Sequence, residues 1–206
     1  MLQRILVWDA PTRVFHWLNA LAFGGAYLTA YSERHRDIHL AAGYIMLGLI
    51  VFRLLWGFIG TRHARFGSFL FSPAAIYSYL VSMLKRNARH MVGHTPVGSV
   101  AIWLLLSLCI FLGVTGILAL QDDASDLVVD MHGIATNVTL AVIGLHLAGV
   151  AVSSLLHREN LVRAMITGYK TGETDQAIPL TYTWLGTLIL AAVIVFWFVY
   201  LKNPLG

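Results

Sequence analysis

The sequence predicts an all-α membrane protein, a four-helix transmembrane bundle with a fifth transmembrane helix at the C-terminus. Three observations predict it. Of the 206 residues, 58% are hydrophobic and 12% charged, against roughly 45–50% and about 25% in a soluble domain. Five apolar runs, each near the roughly 20 residues that cross a bilayer, take up most of the chain. Three of those runs contain histidine, a side chain that is costly inside a bilayer and is therefore a candidate for function.

The first run, 14–31, follows a segment in which Arg4, Asp9 and Pro11 interrupt the apolar residues, and it contains His16 and Asn19. A cleaved signal peptide would lack these, so the span is expected to stay. The second run, 38–59, opens on His39 and carries Gly43 and Arg53. The third, 97–120, holds the single cysteine, Cys109, among Leu and Ile, where it reads as a small core or lipid-facing residue. One cysteine permits no disulfide within the chain. The fourth run, 132–156, carries His132 and His146, and the fifth, 179–201, has no histidine. Residues 1–170 form the expected functional domain and 171–206 a C-terminal segment. The connections are too short for a separate soluble domain, so a catalytic partner is expected on another chain. Lipid is an expected partner, nucleic acid is not, and homo-oligomerisation is left open.

Lys and Arg accumulate on the cytoplasmic side of membrane proteins. Of the fourteen, Arg4, Arg13, Arg62, Arg65, Lys85, Arg86, Arg89, Arg158, Arg163 and Lys170 fall on one side of this topology. Arg34, Arg36 and Lys202 fall on the other, and Arg53 lies inside a span. The split of ten to three puts the N-terminus in the cytoplasm and the C-terminus outside. The longest connection is cytoplasmic, and its stretch 69–84 reads either as an interfacial helix or as a loop folded against the bundle. The external loop 121–130 carries Asp122, Asp123, Asp126 and Asp130 and no Lys or Arg.

Nine histidines separate by depth. His35, His63, His90, His94 and His157 fall in loops or at span ends, beside Arg, Lys or Gly, as solvated or headgroup-facing imidazoles. The other four lie in apolar context. His132 and His146 are fourteen residues apart, so their side chains lie within about 40° of one another on the helix and about 21 Å apart along it. With a hydrocarbon core about 30 Å thick, one lies near each membrane surface. The loop charges place His132 outside and His146 inside. The same argument places His16 inside and His39 outside. A haem clamped between helices takes two imidazoles at one depth, and the depths pair His16 with His146 and His39 with His132. The Cys-x-x-Cys-His motif of covalent attachment is absent, so any haem is expected to be non-covalent haem b. Arg53 follows His39 by fourteen residues, on nearly the same face but at the depth of the inner pair. A buried arginine needs an anion. Haem propionates would serve; the alternative is a side chain snorkelling to the headgroups. Gly43, one turn beyond His39, would let a macrocycle approach the backbone.

The segments Arg13-Val-Phe-His16-Trp-Leu-Asn19, His39-Leu-Ala-Ala-Gly43, Arg53-Leu-Leu-Trp56, Gly93-His94-Thr-Pro-Val-Gly98 and Gly144-Leu-His146, with His132, carry a resemblance. From Arg4 to about Lys170 the chain resembles the bacterial di-haem cytochrome b561 family, and within it the cytochrome b subunits of nickel–iron hydrogenases. The resemblance implies a four-helix core with two b haems in series, ligated by His16, His39, His132 and His146. It implies electron transfer in the bacterial inner membrane between the quinone pool and a periplasmic redox partner, a c-type cytochrome or a hydrogenase-like enzyme. An electron-transfer subunit is expected rather than a stand-alone enzyme. Asp122, Asp123, Asp126 and Asp130 would steer a cationic partner. A second reading is a superoxide:quinone oxidoreductase, which favours a positive external funnel. A third is a haem-free transporter or assembly subunit with proton-relaying histidines.

Overall fold

The structure, a computed structural model, describes residues 2–85, 87 and 90–203. Arg86 and Arg89, counted above with the cytoplasmic basic residues, lie outside the described residues, as does the end of the C-terminal segment, 204–206. A short strand, β1 (Gln3–Leu6), leads into α1 (Ala10–Thr29). Asp9 starts that helix: its carboxylate accepts from the Thr12 N–H at 2.8 Å, and Pro11 sits in the first turn, where its missing N–H removes no helix bond. The helix therefore begins ahead of the apolar run at 14, and Arg13 belongs to its first turn instead of to a loop.

A single turn, Glu33–His35, introduces α2 (Arg36–Ile59), and a second turn, Phe66–Phe69, precedes α3 (Pro73–Leu84). Residues 73–84 are thus helix, with Tyr77 and Leu84 exposed. Helix α4 (Pro96–Leu118) is capped by the Thr95 hydroxyl, which accepts from the Gly98 N–H at 3.1 Å. Helix α5 (Asp126–His157) has 32 residues, about 48 Å of helix, more than the core of a bilayer requires. It corrects one expectation: Asp126 and Asp130 lie on this helix and not in the external loop, because carboxylates are favoured at the positive N-terminal end. All four aspartates are exposed. The chain closes with α6 (Leu161–Thr167), β2 (Tyr169–Gly172) and α7 (Thr183–Lys202).

Among the described residues, four helical stretches are long and apolar enough to cross a membrane: Glu33–Ile59, Pro96–Leu118, Asp126–His157 and Thr183–Lys202. Helix α1 has the length, 20 residues, but Arg13, His16 and Asn19 make it more polar. It nonetheless packs in the bundle, against α2 and α7, and supplies Ala22 and Phe23 to the core with Ile45, Leu49, Leu106 and Leu112. Helix α7 lies on α1 and α2, placing Ile189, Val193, Phe196 and Trp197 on that core. Helix α2 also meets α4, which in turn meets α3 and α5. Among the described residues, α5 packs closely only on α4 and α6, and stands off from α1 and α2.

At the N-terminal end of α1 the N-terminal strand and the segment after α5 fold into a cap that the sequence pattern does not announce. Strand β1 pairs antiparallel with β2, Leu6 opposite Tyr169. The backbone N–H groups of Val7 and Trp8 donate to the Gly168 carbonyl at 2.8 and 3.0 Å, and that of Ala10 donates to Thr181 at 2.8 Å. Ile5, Val7, Trp8, Val92 and Ala164 form a second small core beneath this sheet.

Candidate functional site

The four histidines of apolar context come together in two pairs, each joining α5 to another helix. At one end His39, from the first turns of α2, faces His132, from the early turns of α5, with ring centroids 6.3 Å apart and planes at 73°. Their outward nitrogens are both held. His39 Nδ1 lies 2.8 Å from the carbonyl of Ala26, which can only accept, so that nitrogen carries the proton. His132 Nδ1 lies 3.0 Å from Thr115 Oγ1, whose own hydroxyl donates to the Phe111 carbonyl at 2.8 Å, so His132 again donates. Both rings therefore have a bare Nε2, the tautomer a metal needs. Two imidazole nitrogens that shared one metal ion, each at about 2 Å and about 1 Å from its ring centre, would set the ring centroids about 6 Å apart. The observed spacing matches.

A cavity of about 540 Å³ opens at this pair, lined by His39, Gly43, Gly113, Gly116 and His132, with Glu33 and Arg36 at its mouth. A Cβ on Gly43 would meet nothing within 4 Å, so this glycine borders open space. A Cβ on Gly116 would stand 3.3 Å from the His132 ring. The residues present fit a planar macrocycle held by two imidazoles.

At the other end His16, on α1, and His146, on α5, come within electrostatic range of one another. His16 Nδ1 is buried without a hydrogen-bond partner. Arg53, on α2, is 5% exposed and its Nη1 likewise has no hydrogen-bond partner among the described residues. It does not snorkel; its guanidinium stacks on Phe66 and Phe69, 5.1 and 5.8 Å from the ring centroids. Each orphaned buried polar group costs about 1–3 kcal/mol, so this end of the bundle also has the donors for a polar group that enters the gap.

Two features escaped the sequence reading. Asp9 is fully buried and accepts from Thr12 N–H, from Trp56 Nε1 at 3.1 Å and from Thr61 Oγ1 at 2.6 Å, tying the start of α1 to the end of α2. Asp-x-Pro-Thr ahead of an apolar run is a legible cap signal, but its partners on α2 are not. His63 and His94 are not the solvated imidazoles their loop positions suggested. His63 is buried and its Nε2 lies 2.8 Å from the Gln176 carbonyl. His94 lies between Trp8 and Phe69, with ring centroids 4.7 and 4.5 Å away, and its Nδ1 is buried and unpartnered. The cap encloses both.

A pair of imidazoles with bare Nε2 atoms in a bundle of apolar helices suits the haem of a membrane b-type cytochrome. Residues 7–168 match the sequence model of the prokaryotic cytochrome b561 family, and the chain belongs to that family. It is similar to the probable Ni/Fe-hydrogenase B-type cytochrome subunit of Rhizobium leguminosarum bv. viciae, 23% identical over 81% of this chain and 88% of that one. The protein of the same description from Rhodobacter capsulatus is 24% identical, covering 84% and 83%. The probable Ni/Fe-hydrogenase 1 B-type cytochrome subunit of Escherichia coli (strain K12) is 23% identical over 53% and 57%. No solved structure matches the chain. The protein is thus a membrane-integral cytochrome of the b561 type that binds haem b and transfers electrons.

Proposed function

We propose that the chain holds two non-covalent b haems, one between His39 and His132 and one between His16 and His146, and links the quinone pool to a redox partner on the periplasmic side. The observation that carries this reading is the outer pair, whose centroid spacing of 6.3 Å and bare Nε2 atoms suit a single iron. The standing-off of α5 supports a second slot at the inner pair. Bound haem supplies one-electron chemistry, and two in series connect the membrane faces. The chain's own part is to orient the imidazoles, hold the Nδ1 protons of His39 and His132 in hydrogen bonds donated to the Ala26 carbonyl and the Thr115 hydroxyl, and hold water away by burial. On this reading residues 1–170 are the haem domain and the segment 171–206 supplies a fifth span. Helix α1 crosses as the first of five, its polar side chains turned to the bundle, in a bacterial inner membrane with the N-terminus cytoplasmic and the C-terminus periplasmic. The names of the similar proteins support a hydrogenase-like enzyme as partner; the exposed aspartates support a cationic c-type cytochrome.

Haem quantification on the purified chain tests the stoichiometry, with two b haems per chain expected. His39→Ala or His132→Ala should remove the outer haem and His16→Ala or His146→Ala the inner one. A single haem in the wild type, or retention of both in His39→Ala, would overturn the pairing. The superoxide:quinone reading finds support in Arg36 at the cavity mouth, but Glu33 stands beside it. Stopped-flow reduction by superoxide, set against reduction by quinol and re-oxidation by a cationic cytochrome c, separates the two.

A further inference from the structure

Arg53 has an unusual environment for a buried cation. Its nearest acid, Asp9, already has both carboxylate oxygens engaged, Oδ1 by Thr12 and Oδ2 by Trp56 and Thr61. Asp9 acts on Arg53 through space, but among the described residues Arg53 has no ion pair within 4 Å, the only ones being His90–Glu159 and Lys170–Glu159. Its Nη1 donor is therefore charge-compensated yet unbonded. His94 approaches from another element, the loop ahead of α4, and lies within electrostatic range of Arg53. The two share Phe69: the guanidinium lies over that ring and the imidazole packs 4.5 Å from it. Trp8 closes the other side of His94. Both side chains are thus fixed by aromatic packing, and each presents a buried polar atom with no hydrogen-bond partner among the described residues. Burial, with Arg53, His63 and Lys170 adding to it, pushes the His94 imidazole down to about 3, so it is neutral and offers a single N–H.

We propose that His94 and Arg53 form a clamp for the propionate carboxylates of the inner haem. This rests on the reading that a haem lies between His16 and His146. A planar guanidinium gives a carboxylate paired, charge-assisted donors. A neutral imidazole adds one further donor without a second buried charge, whose desolvation would be costly. Arg53 stands about 21 Å along α2 from His39, which sets the clamp at the inner haem and not the outer. His94 is a positioning residue here: it touches no reacting atom and acts on the haem through its carboxylate edge.

The test is a spectroelectrochemical titration of the purified holoprotein, with the inner haem's midpoint assigned by its loss in His16→Ala. Freed or unneutralised carboxylates disfavour the reduced haem, so R53Q and H94L should each lower the inner midpoint. A tenfold weaker electron affinity reads as about 59 mV. H94N, whose amide nitrogen can take the place of Nδ1, should restore most of the shift, and the outer midpoint should not move. Reconstitution with haem dimethyl ester identifies the anion. With the ester, the difference between wild type and H94L should vanish if propionate is held, and should persist if the clamp holds a free or headgroup phosphate, which would overturn the proposal. If H94L cannot be recovered with haem, wild-type protein decides: the ester should be retained less well at the inner site than at the outer, and equal retention overturns the clamp. Should His16→Ala keep both haems, the underlying pairing fails. Should the pairing stand and H94L leave the inner midpoint in place, the clamp alone fails.

Discussion

Thr115 sets the tautomer of His132, because its hydroxyl spends its proton on the Phe111 carbonyl and is left to accept from Nδ1. Removing a second partner of a metal-bound histidine weakens metal binding by about 10–100-fold. Thr115→Val keeps the shape and loses the acceptor, so outer-haem affinity is expected to fall within that range while the inner haem is unaffected; titration of the apo-protein with haem measures it. Gly43→Leu should act differently. It fills open cavity without touching a ligand, so the chain should fold and carry only the inner haem. Full haem content in this variant would show that the macrocycle lies elsewhere. At this scale the nearness of His39 to His132 and of His16 to His146 was legible, since helical spacing and loop charge suggest which histidines share a level and the structure brings each pair together. Thr115, Asp9 and His94 were not. Each gains its role from a neighbour on another helix or loop, and no periodicity within one segment encodes that.

Among the elements, the helices were read nearly to their ends and the cap was missed entirely. Four-residue strands carry too little alternation to register, and β1 and β2 are separated by all the helices from α1 to α6. Asp126 and Asp130 were mistaken for loop because the helix begins before the apolar run does. The cap has its own sensitivities. Gly168 ends α6 at φ +88°, and a Cβ there would stand 2.6 Å from the Trp8 carbonyl oxygen; Gly168→Ala should cost more than about 1 kcal/mol, visible as faster proteolysis at the N-terminus. Acid should loosen the same region. His94 is held near 3 against an ordinary value of 6.5, so between those values the unfolded chain takes up a proton that the folded chain refuses, and stability declines as pH falls. Glu159 adds to the trend: although its burial works the other way, Lys170, the Thr171 N–H and His90 keep it below the usual carboxylate range, and its contribution is lost as pH falls through that lowered value. Thermal unfolding in detergent should therefore decline from pH 7 to pH 4.5, with a shallower slope in H94N. Equal slopes would remove His94 as the source.

At the scale of the whole molecule, charge is divided between the two ends. The cap and its loops carry most of the Lys and Arg, while the other end presents Asp122, Asp123, Asp126 and Asp130, all exposed, around the mouth of the α4–α5 connection. Because Asp126 and Asp130 project from the first turns of α5, they stand on the helix that carries His132, closer to the outer pair than a free loop would hold them. A cationic redox partner drawn to these side chains would dock beside the outer haem of the proposed arrangement, where transfer distance is shortest. Complementary charge acts mainly on the rate of encounter, and its reach shrinks to about 8 Å at physiological ionic strength. Replacing the four aspartates by asparagine should slow re-oxidation by a cationic cytochrome c at low salt by about tenfold or more. The mutant and wild-type rates should converge as salt is raised, with reduction by quinol and both midpoints unchanged. A deficit that persists at high salt would mean that the substitutions had disturbed α5 itself. Wild-type rates indifferent to salt would mean that the partner is recognised on another surface.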